Sequence, residues 1–473
     1  MMQFLIELFN IVTLVIAEIS QGIFDGIISL FPEERKTRYD ADFGSVSDTL
    51  FKSGNGFSVT GSRFLSLEDS FSHMVCFGGS GSRKSNSIII PTVLNARNVS
   101  MVIHDPSKEV FFKTALAKSR EGFKIKVLDY NTPEKSEGFN ALAKCQTYSD
   151  VHKLASVLVR NTIEHSSDPF WNKSAETLIA LFATYLIKYA KPEHKNFSSV
   201  LAMVQKFSYD AKKLDVLMVK THDQQLIDQY KTFVAYPDKT LMSVVATAIT
   251  ALSIFVSESL AKVTSFNTIE FDEFRTHPTI LYICNSAKDA EFYRGMSAIF
   301  FESFWGSILN TIPSKNEYPI LFLIDEASSM KIGSLASSVA LLRKHASAIL
   351  LIYQDYRQLE NLYGSYQASN IVANCATRLY MPNQPIEICK MLETVLGKYQ
   401  YEDEKILRTR ELLTASEIRQ LNESIILFKN TAPLRAKMRP YYETLRFKRL
   451  TELGAYQVEN KIPFTSLPVI QFD

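Results

Sequence analysis

Residues His73 to Pro91, HMVCFGGSGSRKSNSIIIP, hold the side chains with the clearest chemical potential. An apolar run ends at a glycine-rich turn, and a helical pattern opens on Lys84-Ser85. This order is close to a phosphate-cradling loop. In such a loop, backbone N–H groups wrap the phosphates, a lysine reaches their outer oxygens, and a serine hydroxyl ligates Mg2+. Gly78, Gly79, Ser80, Gly81, Ser82, Arg83, Lys84 and Ser85 are therefore the candidate ATP-binding residues. The pattern calls for glycine immediately before the lysine, and this chain has Arg83 there. An arginine at that point would crowd the path of the N–H groups, or swing outward, or add positive charge for the phosphates.

Three further features extend the loop. ILFLIDE is an apolar strand pattern ending in Asp325-Glu326. There Asp325 would share Mg2+ with Ser85, and Glu326 would polarise an attacking water. Taken alone, the same pattern is equally a buried strand ending in two acids. ILLIYQD is another apolar strand pattern, ending at Gln354, which could sense the γ-phosphate or position water; by itself it reads as a polar strand end. Arg343 precedes that strand and could reach a nucleotide held by a neighbouring subunit, although a solvated helix charge explains it as well. The order of loop, acidic strand end and polar strand end is far more specific than any one of them.

These groups need an α/β scaffold to meet. Strand patterns occur at His73–Phe77, around Met101–Asp105, at KIKVLDY, and at Pro278–Asn285, Pro319–Ala327, Ser347–Asp355 and Thr377–Asn383. Helical patterns between them imply a mainly parallel sheet covered on both faces. From about 148 to 264 the periodicity is helical, as in SAETLIALFATYLIKYA, which reads as an all-α domain inserted into the α/β domain. The expected organisation is an N-terminal amphipathic helix and linker (1–43), a first part of the nucleotide-binding domain (44–147), the all-α domain (148–264), and the second part with the C-terminal segment (265–473).

The first 31 residues are apolar but interrupted by Glu7, Glu18 and Asp25, so they make no convincing transmembrane helix. They lack a basic start and a cleavage site. The expectation is an amphipathic helix packed on the protein itself or on a partner subunit. A membrane-surface helix would carry Lys or Arg on its polar face, and this one carries acids.

The chain has 473 residues, 46% of them hydrophobic, with a net charge of +2. That composition suits a folded protein of two or three domains. It excludes a global basic field, so any DNA contact must come from local patches. Five cysteines without a CxxC pair argue against a zinc ribbon and for a reducing compartment. The eight histidines show no HxxxH spacing, and His104 reads as a strand-end residue rather than a base.

The segments HDPSKEVF, FNAL, DPFWNKSAETLIALFATYL, LIDEASSMKIGSL, LLRKHASAILLIYQDYRQLENLYG, SNIVANCATRLYM and LLTASEIRQL occur in order. In this the chain resembles type IV secretion coupling proteins, the TraG-type conjugative DNA-transfer ATPases, from about Gly56 to Tyr442. The resemblance implies a RecA-like P-loop motor with an inserted all-α domain that takes part in substrate recognition. It also implies a homo-hexamer peripherally associated with the cytoplasmic side of the inner membrane. Such a ring would use ATP and Mg2+ to feed a relaxase-linked single DNA strand, or effector proteins, to the secretion channel. Lys84 and Ser85 would bind phosphate and metal, Asp325 and Glu326 would be the acidic pair, Gln354 the sensor and Arg343 the finger acting in trans. The chain departs from the family at Arg83, at Ser107-Lys108 where the family has Lys-Gly, and in lacking an N-terminal transmembrane pair. Two alternatives stay open: a nucleotide-silent scaffold subunit, and another RecA-like DNA translocase.

Overall fold

The computed structural model describes residues 39–163, 168–285, 287–404 and 406–472. The expected N-terminal amphipathic helix lies outside these residues. The described residues fall into two compact units, a larger one of residues 43–392 with 415–472 and a smaller one of residues 39–42 with 393–414.

The larger unit is built on one sheet. Its strands in chain order are β1 (Met74–Phe77), β2 (Ser100–Asp105), β3 (Lys124–Asp129), β4 (Thr279–Cys284), β5 (Ile320–Ile324), β6 (Ser347–Tyr353) and β7 (Thr377–Tyr380). All seven were legible as apolar runs; β2 ends at Asp105 as expected, and the structure shortens the other six by one to four residues. In the smaller unit, β8 (Lys398–Asp403) pairs antiparallel with β9 (Ile406–Glu411) as an exposed hairpin. Two further strands, β10 (Ser424–Phe428) and β11 (Leu434–Ala436), complete the large sheet. Neither this pair nor the hairpin was anticipated. The sheet order is β11-β10-β7-β1-β6-β5-β2-β4-β3. Pairings from β7 to β3 are parallel, and β10 joins β7 antiparallel.

Every residue of β1, β2, β4, β5 and β6 is buried. That requires cover on both faces, and it explains why these strands read as continuous apolar runs rather than alternating ones. A π-helical turn, Ser85–Ile89, runs from the glycine-rich loop into α1 (Ile90–Asn95). Helix α2 (Glu109–Arg120) follows β2.

Between Tyr148 and Val263 the described residues form helices and no strand. The helices are α3 (Tyr148–Thr162), α4 (Pro169–Tyr189), α5 (Phe197–Tyr209), α6 (Ala211–Lys220), α7 (Gln224–Val234), α8 (Asp238–Leu252) and α9 (Glu258–Val263). Their starts are set locally. Thr147 and Asp150 form a reciprocal capping box on α3, and Asp168 caps α4 just before Pro169. Among the described residues one helical stretch, Asp238–Val256, is apolar and long enough to cross a membrane. Here its α8 portion packs against α4 and α5.

The next long helix, α10 (Ala290–Leu309), joins the helical layer to the sheet. It packs against α3. On its other side Phe301, Phe304 and Trp305 meet Phe322 of β5, the Phe304–Phe322 ring centroids being 5.5 Å apart. Each fully buried aromatic of this kind contributes about 2–3 kcal/mol. Helix α11 (Leu335–Leu341) precedes β6, and α12 (Tyr356–Tyr363) follows it.

Candidate nucleotide site

The site is assembled at the carboxyl edge of the parallel strands. β6 lies between β1 and β5 in the sheet, so the ends carrying the loop, Gln354 and Asp325-Glu326 are brought side by side. The amide of Gly78 donates to the carbonyl of Tyr353 at 3.1 Å, which fixes the start of the loop to the end of β6. A Cβ at Gly78 would come within 2.8 Å of Met381 Sδ and 2.9 Å of Ser82 Oγ, so a side chain there would force both of these side chains to move.

The loop carries donors without partners. Among the described residues, the N–H groups of Gly79, Ser80, Gly81 and Arg83 make no backbone hydrogen bond, and the buried Ser82 hydroxyl has no partner. Successive free N–H groups at a helix entrance form an anion-binding concavity. The Lys84 ammonium turns back onto the loop, donating to the carbonyls of Gly78 at 2.5 Å and Gly79 at 2.9 Å.

Arg83 has φ +64° and an exposed side chain. The backbone thus follows the left-handed path that glycine favours, and the guanidinium points out of the loop's interior. Its exposure keeps the side chain off the path of the loop's N–H groups, as an outward swing would. Lys108 repeats this pattern: it stands where the resembled family has glycine, and its φ is +60°. Its ammonium pairs with Asp129 at 2.6 Å. A left-handed non-glycine residue costs roughly 1–2 kcal/mol, so both departures keep the backbone course at an energetic cost.

Ser85 Oγ donates to Asp325 Oδ2, tying the helix start to the end of β5. Asp325 is buried, and burial pushes its carboxyl up to about 6, the Ser85 hydroxyl opposing the shift. His104, at the end of the adjacent β2, holds the Asp325 carbonyl through Nδ1 at 2.8 Å. Burial lowers His104 to about 4, and its hydrogen bond makes it a strut for the Asp325 backbone. Asp105 is fully buried beside it and accepts from the Phe111 amide at 2.8 Å, capping the first turn of α2. Desolvation raises its carboxyl to about 7.

Glu326 follows at φ +54° and is exposed, facing away from the core that encloses Asp325. Gln354 is exposed one residue past β6, and its amide donates to Gln358 Oε1 at 3.0 Å. Ser85 and Asp325 offer the hydroxyl and carboxylate oxygens that suit Mg2+, and the free N–H groups suit phosphate, so the residues present fit Mg-ATP.

Arg343 is not part of this assembly. It sits in a short 3-10 turn, Leu342–His345, before the start of β6. That is the opposite edge of the sheet, about 20 Å from Gln354 along the strand at ~3.3 Å per residue. It is exposed and lies near His73, at the amino end of β1. No service to its own subunit's nucleotide is open to it.

Sequence reasoning missed the side chains that hold the segment after Glu326. These are Asn161, Glu302 and Tyr363, which bond the backbone of Lys331, Ser334 and Ile332. They are distant in sequence and belong to no phosphate-loop pattern.

The family described as "Type IV secretory system Conjugative DNA transfer" matches residues 32–464, and the chain belongs to it. The conjugal transfer protein TraG of Agrobacterium fabrum is 27% identical over 369 residues, covering 72% of this chain and 54% of the relative. Protein VirD4 of the same organism is 20% identical over 455 residues, covering 89% and 66%. The chain spans about half to two thirds of the length of these curated relatives. Among solved structures, the bacterial conjugative coupling protein TrwBdeltaN70 in complex with sulphate superposes with a TM-score of 0.66 at 15% identity, covering 93% of this chain and 99% of that one. The plasmid coupling protein TrwB in complex with ADP and Mg2+ gives 0.66 at 16% identity, covering 90% and 95%. At such identities the likeness defines the fold: RecA-like, with a P-loop and a helical domain.

Proposed function

We propose that the chain is an ATP-driven coupling protein of a type IV secretion system. In this reading it recruits a relaxase-bound DNA strand, or effector proteins, and delivers them to the channel during conjugation. It works as a homo-hexamer on the cytoplasmic side of the inner membrane, with residues 148–264 as its substrate-facing helical domain. The observation that carries the nucleotide part is the Ser85–Asp325 hydrogen bond beside a loop with free N–H groups. TrwB in complex with ADP and Mg2+ shares the fold, which adds support.

Each side chain then has a role in the chain's own chemistry. The free N–H groups and Lys84 would hold the phosphates, Lys84 exchanging its loop carbonyls for phosphate oxygens. Ser85 and Asp325 would hold Mg2+, which when bound supplies positive charge to the phosphate oxygens. Glu326, exposed on its left-handed turn, would accept the proton of the attacking water, and Gln354 would read the γ-phosphate end. Arg343 would serve the nucleotide of an adjacent subunit.

One observation favours a second reading, a nucleotide-silent scaffold subunit: Arg83 occupies a backbone conformation suited to glycine. Titration with a fluorescent ATP analogue and Mg2+ separates the two. The motor reading expects micromolar binding by the chain, weakened at least about 100-fold in Lys84→Ala. Equal affinity in both proteins overturns the assignment.

A further inference from the structure

The segment following Glu326 is suspended from three elements by side chains that bond its backbone. In α3, Asn161 accepts from the Lys331 amide through Oδ1 at 3.0 Å and donates to the Lys331 carbonyl through Nδ2 at 3.0 Å. In α12, the Tyr363 hydroxyl accepts from the Ile332 amide at 3.0 Å. In α10, Glu302 Oε1 accepts from the Ser334 amide at 2.8 Å. Three residues of one short segment are thus tied to the helical layer, to the helix that follows Gln354, and to the helix packed under β5.

Asn161 is the connection to the helical layer. It is 4% exposed and stands in the last turn of α3. Its second amide hydrogen goes to the Val157 carbonyl at 2.9 Å, and its own carbonyl accepts from Arg294 Nε of α10. The side chain therefore has no slack: a shift of Lys331 breaks two buried hydrogen bonds or carries the end of α3 with it. A buried donor or acceptor left unpaired costs about 1–3 kcal/mol, so moving together is the cheaper course. The neighbouring side of the segment has room. An open groove of about 1120 Å³ is lined by Arg160, Lys173, Glu176, Glu302 and Ser334.

We infer that Asn161 is a positioning residue that relays nucleotide state from the Glu326 segment to the helical domain. The relay rests on the nucleotide-binding reading above, because Glu326 is the residue that would respond to the nucleotide. A relay needs an element both sites bias, and residues 327–334 fill that place: one end follows Glu326, and the middle is gripped by α3.

The test is hydrogen exchange on the full chain, with and without Mg2+ and a non-hydrolysable ATP analogue. Wild type, Asn161→Ala and Asn161→Ser are compared. The serine hydroxyl stays neutral and can bond within its own helix, but is too short to hold both Lys331 groups, which guards against an Ala variant that does not fold. In wild type, the analogue should slow exchange at least about threefold both in 327–334 and in the last two turns of α3. In the variants the response in 327–334 should persist while that in α3 is lost, with analogue affinity close to wild type. Simple destabilisation would instead raise exchange with and without the analogue alike. An α3 response that survives in the folded variants, or one absent from wild type that does bind the analogue, overturns the relay and leaves the functional reading standing. Failure of wild type to bind the analogue overturns the functional reading and the relay together.

Discussion

Ser85 and Asp325 are 240 residues apart in sequence and share one hydrogen bond across the width of a strand, since β6 lies between the strands that precede them. This bond places a hydroxyl and a carboxylate on the same point beside Lys84, and the functional reading is built around it.

Arg83 follows the left-handed backbone course of a glycine and faces solvent. Arg83→Gly should therefore change folding stability by no more than about 1 kcal/mol, relief of strain being offset by the greater freedom of glycine in the unfolded chain. Its affinity for an ATP analogue should lie within about tenfold of wild type, a difference of about 1.4 kcal/mol. Parallel urea denaturation and analogue titration check both values. Binding by Arg83→Gly alone would identify this chain as a silenced member of its family.

Arg343 lies at the far edge of the sheet from Gln354, and the proposed reading gives it the nucleotide of another subunit. Glu326→Gln should bind nucleotide with hydrolysis lowered by roughly 10²–10⁴-fold, the usual contribution of a general base. Arg343→Ala should also be slow. Mixed with Glu326→Gln subunits, Arg343→Ala subunits should recover part of the turnover, because some interfaces pair an intact Glu326 with an intact Arg343. Mixed rings verified by mass and lacking any recovery would remove Arg343 from the site.

His73 supplies a pH dependence away from the nucleotide site. It is buried at the start of β1, accepts from the Ile349 amide through Nδ1 at 3.0 Å, and is lowered by desolvation to about 4. The unfolded chain, with an ordinary histidine value of 6.5, binds more protons between those two values. Stability is thus fully present above pH 6.5 and is lost as the pH falls towards 4, by roughly 3 kcal/mol for this residue. His104 acts with the same sign. His73→Asn retains an acceptor and tolerates the φ of +60° found there. Asp105 and Asp325, raised by burial, act with the opposite sign over this range, so the test is a difference: between pH 7 and pH 5, urea denaturation should show His73→Asn losing about 2 kcal/mol less stability than wild type. An unchanged slope would show that His73 does not carry the effect.

The chemistry-bearing residues and most of the sheet were legible because their signals are local. A glycine-rich turn between a strand and a helix, and acids at the end of an apolar run, are written within a dozen residues of one another. Burial on both faces makes β1, β2, β4, β5 and β6 continuous apolar runs, and these survive as pattern. The edge strand β11 and the β8–β9 hairpin are short or polar, and pairing with other strands makes them strands; β10, SIILF, lies inside the sheet and carries an apolar run like that of β5.

What the chain alone offered is a set of candidate groups, Lys84 and Ser85 at a helix start and Asp325, Glu326 and Gln354 just past strand ends, and a helical stretch after Tyr148. Tertiary structure decided which of them meet. The strand order puts Ser85 on Asp325, and no local pattern encodes the order of strands in a sheet. The backbone angle at Arg83 likewise depends on the loop's closure onto β6, because an arginine has no intrinsic preference for it. The grip of Asn161 on Lys331 spans 170 residues and exists only once α3 packs against α10 and the segment after β5 is in place.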